Sequence, residues 1–201
     1  MELLEAIHAR RSVRRYTGRT VSAEVVERLL TAATWAPSAH NRQPWRFVVL
    51  EDAAVKERLA RAMGDKLRFD RLADGDPAHV VETDARRSYA RMSGAPVIVA
   101  VCLTMADMDK YPDPRRKKAE YLMAVQSAAM AVQNLLLAAH AEGLGACWMC
   151  APLFCPEVVR EALSLPDDWE AQALLTLGYP ANSSTLRAAS RHALGAVVVR
   201  R

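Results

Sequence analysis

Aromatic residues are scarce in this chain, at 6% of 201 residues. That is thin material for the stacking platforms that grip single-stranded nucleic acid. Neither sign of charge dominates: 27 Lys and Arg face 23 Asp and Glu, a net charge of +4. So mild an excess accommodates an anionic partner without defining a nucleic-acid surface, and none is expected. A secretory h-region is lacking too, because the opening Met1-Glu-Leu-Leu-Glu-Ala-Ile-His8 carries acids among its apolar residues. The apolar stretch around Leu135–Ala139 is interrupted by Gln133, Asn134, His140 and Glu142. It therefore falls short of the roughly 18 apolar residues of a membrane span. These absences predict a cytoplasmic protein with no membrane partner.

Cysteine is used sparingly, at positions 102, 147, 150 and 155, and in the cytosol such thiols stay reduced. Cys147-x-x-Cys150 with Cys155 beyond it invites a zinc or redox reading. However, Trp148 and Met149 lie between the first two, and no neighbouring histidine or second CxxC completes a tetrahedral set. Small buried residues close to a ligand are the favoured reading, and no metal site is expected.

What the chain does have is an ordinary globular balance, half hydrophobic and a quarter charged, in a length that fits one domain over 1–201. Residues 2–9 read as a short amphipathic helix with Leu3, Leu4 and Ile7 on one face. A second helix starts at the plausible N-cap Ser22, runs to about Trp35 and is stopped by Pro37. Trp45–Leu50 reads as a buried strand, after which Asp52 caps a helix to about Met63. Residues 64–93 are rich in Arg and Asp, and predict a variable, solvated helical excursion around Gly75 and Pro77. Residues 96–103 give a strong strand pattern, and 109–116 a loop.

The longest helix is expected from Lys118 to about Ala141, ending at Gly143. Its all-round apolarity calls for burial on most faces, as a central or interface helix. Strands at 145–150 and 169–177 flank a helix at 156–163, and the β-branched tail at 196–200 could pair as an edge strand, on its own or on a partner subunit. Interleaved strands and helices predict a layered α/β or α+β domain.

Three segments carry chemistry. Arg10-Arg11-Ser12-Val13-Arg14-Arg15 places four guanidiniums and a hydroxyl together, donors suited to phosphate oxygens. Alone, such a run is most simply a solvated basic turn. The loop Trp35-Ala-Pro-Ser-Ala-His-Asn-Arg-Gln-Pro-Trp45 holds polar groups in fixed positions, as recognition of a heteroaromatic ring edge requires. His40 could act there as a general acid, although a lone loop histidine is more often only solvated. Gly143 and Gly145 allow close backbone approach to a flat ligand, in a spacing unlike GxGxxG and behind a helix, which disfavours a dinucleotide fold.

In this order and spacing, the segments resemble the FMN-dependent nitroreductase superfamily over essentially the whole chain. The Arg-Arg-Ser-Val-Arg opening, the Ala-Pro-Ser-x-x-Asn-x-Gln-Pro-Trp loop, Gly-Leu-Gly at 143–145, Leu177-Gly-Tyr-Pro180 and Arg191 carry the resemblance jointly. The chain looks most similar to the nitroreductase-like domain associated with the ligase that adds glutamate to the deazaflavin coenzyme. Iodotyrosine deiodinase and the flavin-consuming enzyme of cobalamin lower-ligand synthesis look more distant.

The resemblance implies an α+β, three-layer α/β/α fold: a central mixed sheet flanked by helices, with a long helix at a homodimer interface. It implies FMN bound between subunits. Arg10, Ser12 and Arg14 would take the phosphate and ribityl chain, Arg11 would contribute through its backbone, and Arg191 would close the phosphate site. Pro37, Ser38 and Ala39 of the other subunit would pack on the isoalloxazine, with Asn41 and Gln43 from the same loop. Met149, Cys150 and Ala151 would offer backbone donors to the ring. Where family members often carry an acidic or glycine-rich stretch at the flavin edge, this chain has Cys147-Trp-Met-Cys150, which leaves substrate preference open.

The implied reaction is two-step hydride transfer from NAD(P)H or a reduced deazaflavin, through FMN, to a nitroaromatic, quinone or dehydro-deazaflavin acceptor. Alternatives are a flavin- or deazaflavin-binding protein without turnover and an oxygen-dependent flavin-fragmenting enzyme.

Overall fold

The computed structural model describes residues 2–181 and 190–201. Four strands, β1 (Trp45–Leu50), β2 (Val97–Thr104), β3 (Gly145–Met149) and β4 (Trp169–Gly178), form one sheet in the order β1-β2-β4-β3. Each pair is antiparallel. The mixed character expected of the sheet comes down to one parallel bridge, Ser12 to Ala146, outside the four strands.

Central position explains why β2 is apolar at nearly every residue. Val97, Val99 and Val101 enter one core, with Val26, Leu29, Val132 and Leu135. Ile98, Ala100 and Cys102 enter the other, with Leu59, Met63, Met92 and Val159. A strand with period-two side chains thus serves two cores, and three layers follow. β4 does the same across a bulge. The register steps from Val101–Ala173 to Cys102–Ala171, which leaves Gln172 unpaired and keeps Ala171 and Leu174 on one face.

The helices are α1 (Leu3–Ala9), α2 (Ala23–Thr34), α3 (Ala53–Ala73), α4 (Ala78–Ser93), α5 (Pro114–Ala141) and α6 (Pro156–Leu163). α2 and α5 cover one face of the sheet; α3, α4 and α6 cover the other. Asp52 caps α3 as expected, its Oδ1 accepting from Ala54 and Val55 N–H at 2.7 and 3.2 Å. Ser22 occupies the N-cap of α2 but makes no side-chain capping bond.

Two boundaries differ from the sequence expectation. α3 runs ten residues past Met63, because the turn comes only at Gly75, with φ +85°. α3 and α4 then form a hairpin that buries Val81, Ala85 and Met92, a helical stripe hidden among charges. Arg68–Glu82 at 2.9 Å and Arg71 with Asp76 and Asp84, both at 2.6 Å, tie its outer side.

α5 starts at Pro114 instead of Lys118: proline suits the first helical turn, and Asp113 caps it by accepting from Arg116 N–H at 2.9 Å. At 28 residues it spans about 42 Å. It is also the one helix among the described residues long and apolar enough to cross a membrane. Its Ala124, Ala128, Val132 and Leu135 face is buried within the protein, as in a core helix, while Leu122 and Met130 stay exposed. The tail forms a 3-10 turn at Leu194–Ala196 and then runs exposed, without joining the sheet of its own chain.

Candidate functional site

The arginine segment is extended chain sewn to the sheet margin. Val13 N–H donates to Ala146 carbonyl at 2.9 Å, Thr17 N–H to Tyr179 at 2.8 Å, and Ala181 N–H to Arg15 at 3.1 Å. The Tyr16 hydroxyl lies 2.7 Å from Val13 carbonyl and 2.7 Å from Thr176 Oγ1, so it can donate to the first and accept from the second. Burial pushes this phenol above its ordinary titration range and keeps it neutral.

Two glycines make the seat possible. A Cβ on Gly145 would meet Val13 side-chain atoms at 2.5 to 2.6 Å, and one on Gly178 would meet Pro96 at 2.7 Å and Tyr16 at 2.9 Å. Gly143 has a different task. At φ +78° it ends α5 in a Schellman motif, its N–H on His140 carbonyl (3.0 Å) and Leu144 N–H on Ala139 carbonyl (2.8 Å). Both glycines of Gly-Leu-Gly thus serve the chain itself, where the sequence reading had them admit a ligand.

Side chains in the segment divide by role. Arg11 folds back, donating to His8 and Arg10 carbonyls at the end of α1. Arg10 is half-buried and, with Arg11, Leu136 and His140, lines a recess of about 260 Å³. Ser12 and Arg14 are exposed. Arg14 and Arg15 meet Arg87 and Arg91 of α4 around a second recess of about 440 Å³. Arg87 pairs with Asp84 at 3.3 Å; Arg14, Arg15 and Arg91 have no carboxylate partner among the described residues. The sequence reading missed Arg87 and Arg91. Their i, i+4 spacing was visible, but the side facing Arg14 is fixed only by the hairpin.

β3 is an edge strand, and Ser12 covers its outer margin only at Ala146. By period-two alternation the Trp148 backbone faces the same open edge, followed by Met149, Cys150 and Ala151 where the strand gives way to a 3-10 turn. A further recess of about 370 Å³ runs from Ala151, Phe154 and Cys155 to Met63, Lys66 and Asp70 of α3.

The cysteines diverge. Cys147 points into the protein; burial pushes its thiol up, opposed by the Arg14 and Arg91 guanidiniums. Burial alone pushes Cys102 to about 12, and burial, helped by the Asp70 and Glu157 carboxylates and opposed by Lys66, raises Cys155. Such thiols hold their protons and are poor nucleophiles. Exposed Cys150 accepts from Trp148 Nε1 at 2.8 Å.

Pro37–Gln43 lies elsewhere. Ala39 N–H donates to Ser127 Oγ on α5 at 3.2 Å, and Gln43 N–H to Ser38 Oγ at 3.0 Å. Gln43 Nε2 reaches Asn41 Oδ1 at 3.4 Å, and Pro37 is exposed. His40, Asn41 and Gln43 all have φ near +50°, a left-handed conformation unusual for residues other than glycine. Measured along α5, Ser127 and the Leu136–His140 stretch beside Arg10 are about 14–20 Å apart. Within one protomer the structure therefore brings Arg10–Arg14 to the β3 edge and sets the loop apart from them. Arg191 is exposed and donates to Ser190 carbonyl at 2.9 Å; no hydrogen bond ties it to Arg10–Arg14 among the described residues.

This arrangement, an antiparallel sheet between helical layers with an arginine segment on its edge strand, has counterparts. Residues 7–179 match the nitroreductase family, and the chain belongs to it. A candidate NADH dehydrogenase/NAD(P)H nitroreductase of Archaeoglobus fulgidus is 31% identical over 183 residues, covering 89% of this chain and 86% of its own. The 5,6-dimethylbenzimidazole synthase of Rhodospirillum rubrum is 34% identical over 179 residues, covering 85% and 78%. Among solved structures, a candidate nitroreductase of Desulfovibrio desulfuricans in complex with FMN superposes with a TM-score of 0.73 at 31% identity, covering 100% of this chain and 97% of that one.

Proposed function

We propose that this chain is an FMN-dependent oxidoreductase of the nitroreductase type, acting as a cytoplasmic homodimer on small molecules. The observation that carries the reading is the Arg10–Arg14 segment, held by the sheet beside the open β3 edge, with Arg10 lining one recess and Arg14 another. That edge fits the group: donors for phosphate lie at one end and an unneutralised positive field at the other.

In this reading Arg10 and Ser12 hold the phosphate and ribityl chain, joined by Arg14 and closed by Arg191. Trp148, Met149, Cys150 and Ala151 present backbone groups along the ring edge. When bound, FMN supplies the relay of a hydride from NAD(P)H or a reduced deazaflavin to an electron-poor acceptor such as a nitroaromatic, a quinone or a dehydro-deazaflavin. The guanidiniums of Arg14 and Arg91 favour negative charge arriving beside them.

The second subunit is supported by what one protomer leaves uncovered. Leu3, Leu4 and Ile7 of α1, Trp35 at the end of α2, Leu122 and Met130 of α5, and Val197 and Val199 of the tail are exposed. Such apolar surface suits a partner copy. The distance along α5 between the two half-sites fits a ring gripped by the arginine segment of one chain and Pro37, Ser38 and Ala39 of the other, with Asn41 and Gln43 beside them.

Absorbance of the purified protein tests the reading. A yellow preparation that releases FMN on denaturation is expected; colourless protein that takes up no added FMN sinks it. Arg14→Ala should weaken FMN binding roughly 10- to 100-fold, about 1.5–3 kcal/mol, the scale of a charged hydrogen bond. Unchanged affinity would remove Arg14 from the site.

The synthase relative supports a second reading, oxygen-dependent fragmentation of the flavin. Aerobic incubation with FMN and NADPH separates the two: appearance of 5,6-dimethylbenzimidazole favours fragmentation, and acceptor reduction without flavin loss favours the first.

A further inference from the structure

One other cluster of side chains has the character of a ligand set. His40, Asp109 and Glu120 each offer a donor atom, and the three atoms lie within 4.8 Å of one another. They come from separate places: His40 from the strained loop, Asp109 from the connection between β2 and α5, and Glu120 from the second turn of α5. No spacing in the sequence links them; the sequence reading weighed only the cysteines and expected no metal.

Glu120 makes the cluster more than a surface coincidence. Its side chain is 3% exposed, and its Oε2 is buried without a hydrogen-bond partner. A carboxylate oxygen in that position costs free energy unless a proton or a cation meets it. The donor atoms grouped with it belong to a second carboxylate, Asp109, and to the imidazole of His40. A second anion cannot relieve the first; a cation coordinated by all three relieves both. Arg42 takes one Asp109 oxygen, Oδ1 at 2.7 Å, and leaves the other available.

We propose that His40, Asp109 and Glu120 form a binding site for one divalent transition-metal cation of the zinc or manganese class. It would fasten the 38–43 loop to the start of α5. One imidazole nitrogen and two carboxylate oxygens suit zinc, cobalt or manganese, and the absence of sulfur from the set disfavours softer ions. Bonds of about 2.0–2.2 Å in tetrahedral geometry put donors about 3.4 Å apart. Closing from 4.8 Å takes little more than about 1 Å of movement. Exposed His40 and half-exposed Asp109 can move that far, whereas buried Glu120 is the fixed point. Three protein ligands leave the fourth position to water. The site stands apart from Arg10–Arg14 of its own chain; its loop is the one that the proposed function sets against the flavin of the other subunit, but metal binding is read directly and does not rest on that function.

The test uses the full chain as purified, stripped with EDTA and exchanged into metal-free buffer. Calorimetric titration with ZnCl₂ should show one equivalent per chain. Mn²⁺, which thiols bind poorly, should bind at the same stoichiometry by loss of its free-ion EPR signal. His40→Ala and Asp109→Asn lie at the surface, and each should raise the Kd for both ions at least tenfold. Glu120→Gln should do the same if it folds, but the two surface variants decide the outcome. Absence of stoichiometric binding in the wild type overturns the proposal, as does binding that His40→Ala and Asp109→Asn leave unchanged.

Discussion

The Arg10–Arg14 segment and the Ser38–Gln43 loop are both irregular chain next to a helix, yet they are held in opposite ways. The first borrows its order from the sheet. Backbone bonds to Ala146 and Tyr179 fix its path, a half-buried Tyr16 pins its end to Thr176, and Gly145 and Gly178 clear room for it. The second supplies much of its own order. Ser38 accepts from Gln43 within the loop, Ala39 reaches Ser127, and three exposed residues hold left-handed backbone. A segment seated on a sheet is set before any ligand arrives. A strained, exposed loop persists because its surroundings over-determine it, and such strain gathers where a ligand or partner completes the site.

The largest effect should come from disturbing the seat. Gly145→Ala puts a methyl within 2.6 Å of Val13 side-chain carbons that have the sheet behind them. Overpacking of this kind costs about 1–3 kcal/mol. Because Val13 shares the bridge that positions Ser12 and Arg14, FMN affinity should fall with stability. Gly18→Ala, where nothing lies within 4 Å, is the matched control and should change neither. Denaturant titration of the pair decides it, and a Gly145→Ala protein as stable as the control would show that the segment is not held by its fit to β3.

Both segments were legible in the sequence, but how each is held in place was not. The central strand 97–104 announces itself because burial on both faces demands an apolar run, and 45–50 shows as a short apolar, β-branched segment between turns. Asp52 and Gly143 were legible because caps obey local rules. The helices of 64–93 and their turn near Gly75 were legible too, but the unbroken run of α3 past Met63 and the first turn of α5 were not: their helical stripes are short of apolar residues, and tertiary contacts carry them. Arg10, Ser12 and Arg14 stood out as a run, whereas Arg87, Arg91, Asp109 and Glu120 converge only through the fold. The β-branched tail at 196–200 pairs with no strand of its own chain, because propensity alone makes no sheet without a strand to pair with.

A smaller effect should follow from Ser38→Ala. Its Oγ is the acceptor for Gln43 N–H at 3.0 Å, and without it a left-handed residue loses the bond that holds it. The loss should be about 1 kcal/mol, as for an ordinary hydrogen bond. If the loop serves the flavin of the partner subunit, FMN affinity should weaken only when the protein is dimeric. Dilution below the dimer dissociation constant should then erase the difference from wild type. A Ser38→Ala protein whose FMN affinity falls equally in monomer and dimer would place the loop on its own subunit's ligand.

The smallest expected change is the most discriminating within the arginine run. Arg11 spends its guanidinium on the carbonyls of His8 and Arg10, where it caps α1 and meets the negative end of that short helix. Arg11→Ala should therefore cost no more than about 0.5 kcal/mol of stability, the low end for a cation at an exposed helix terminus. It should leave FMN affinity within about twofold of wild type, against the 10- to 100-fold loss expected for Arg14→Ala. Two adjacent arginines with the same charge would then differ in effect because one is already committed to the chain and the other is not. If Arg11→Ala weakens FMN as much as Arg14→Ala does, charge alone governs the segment, and the division of roles read from their hydrogen bonds fails.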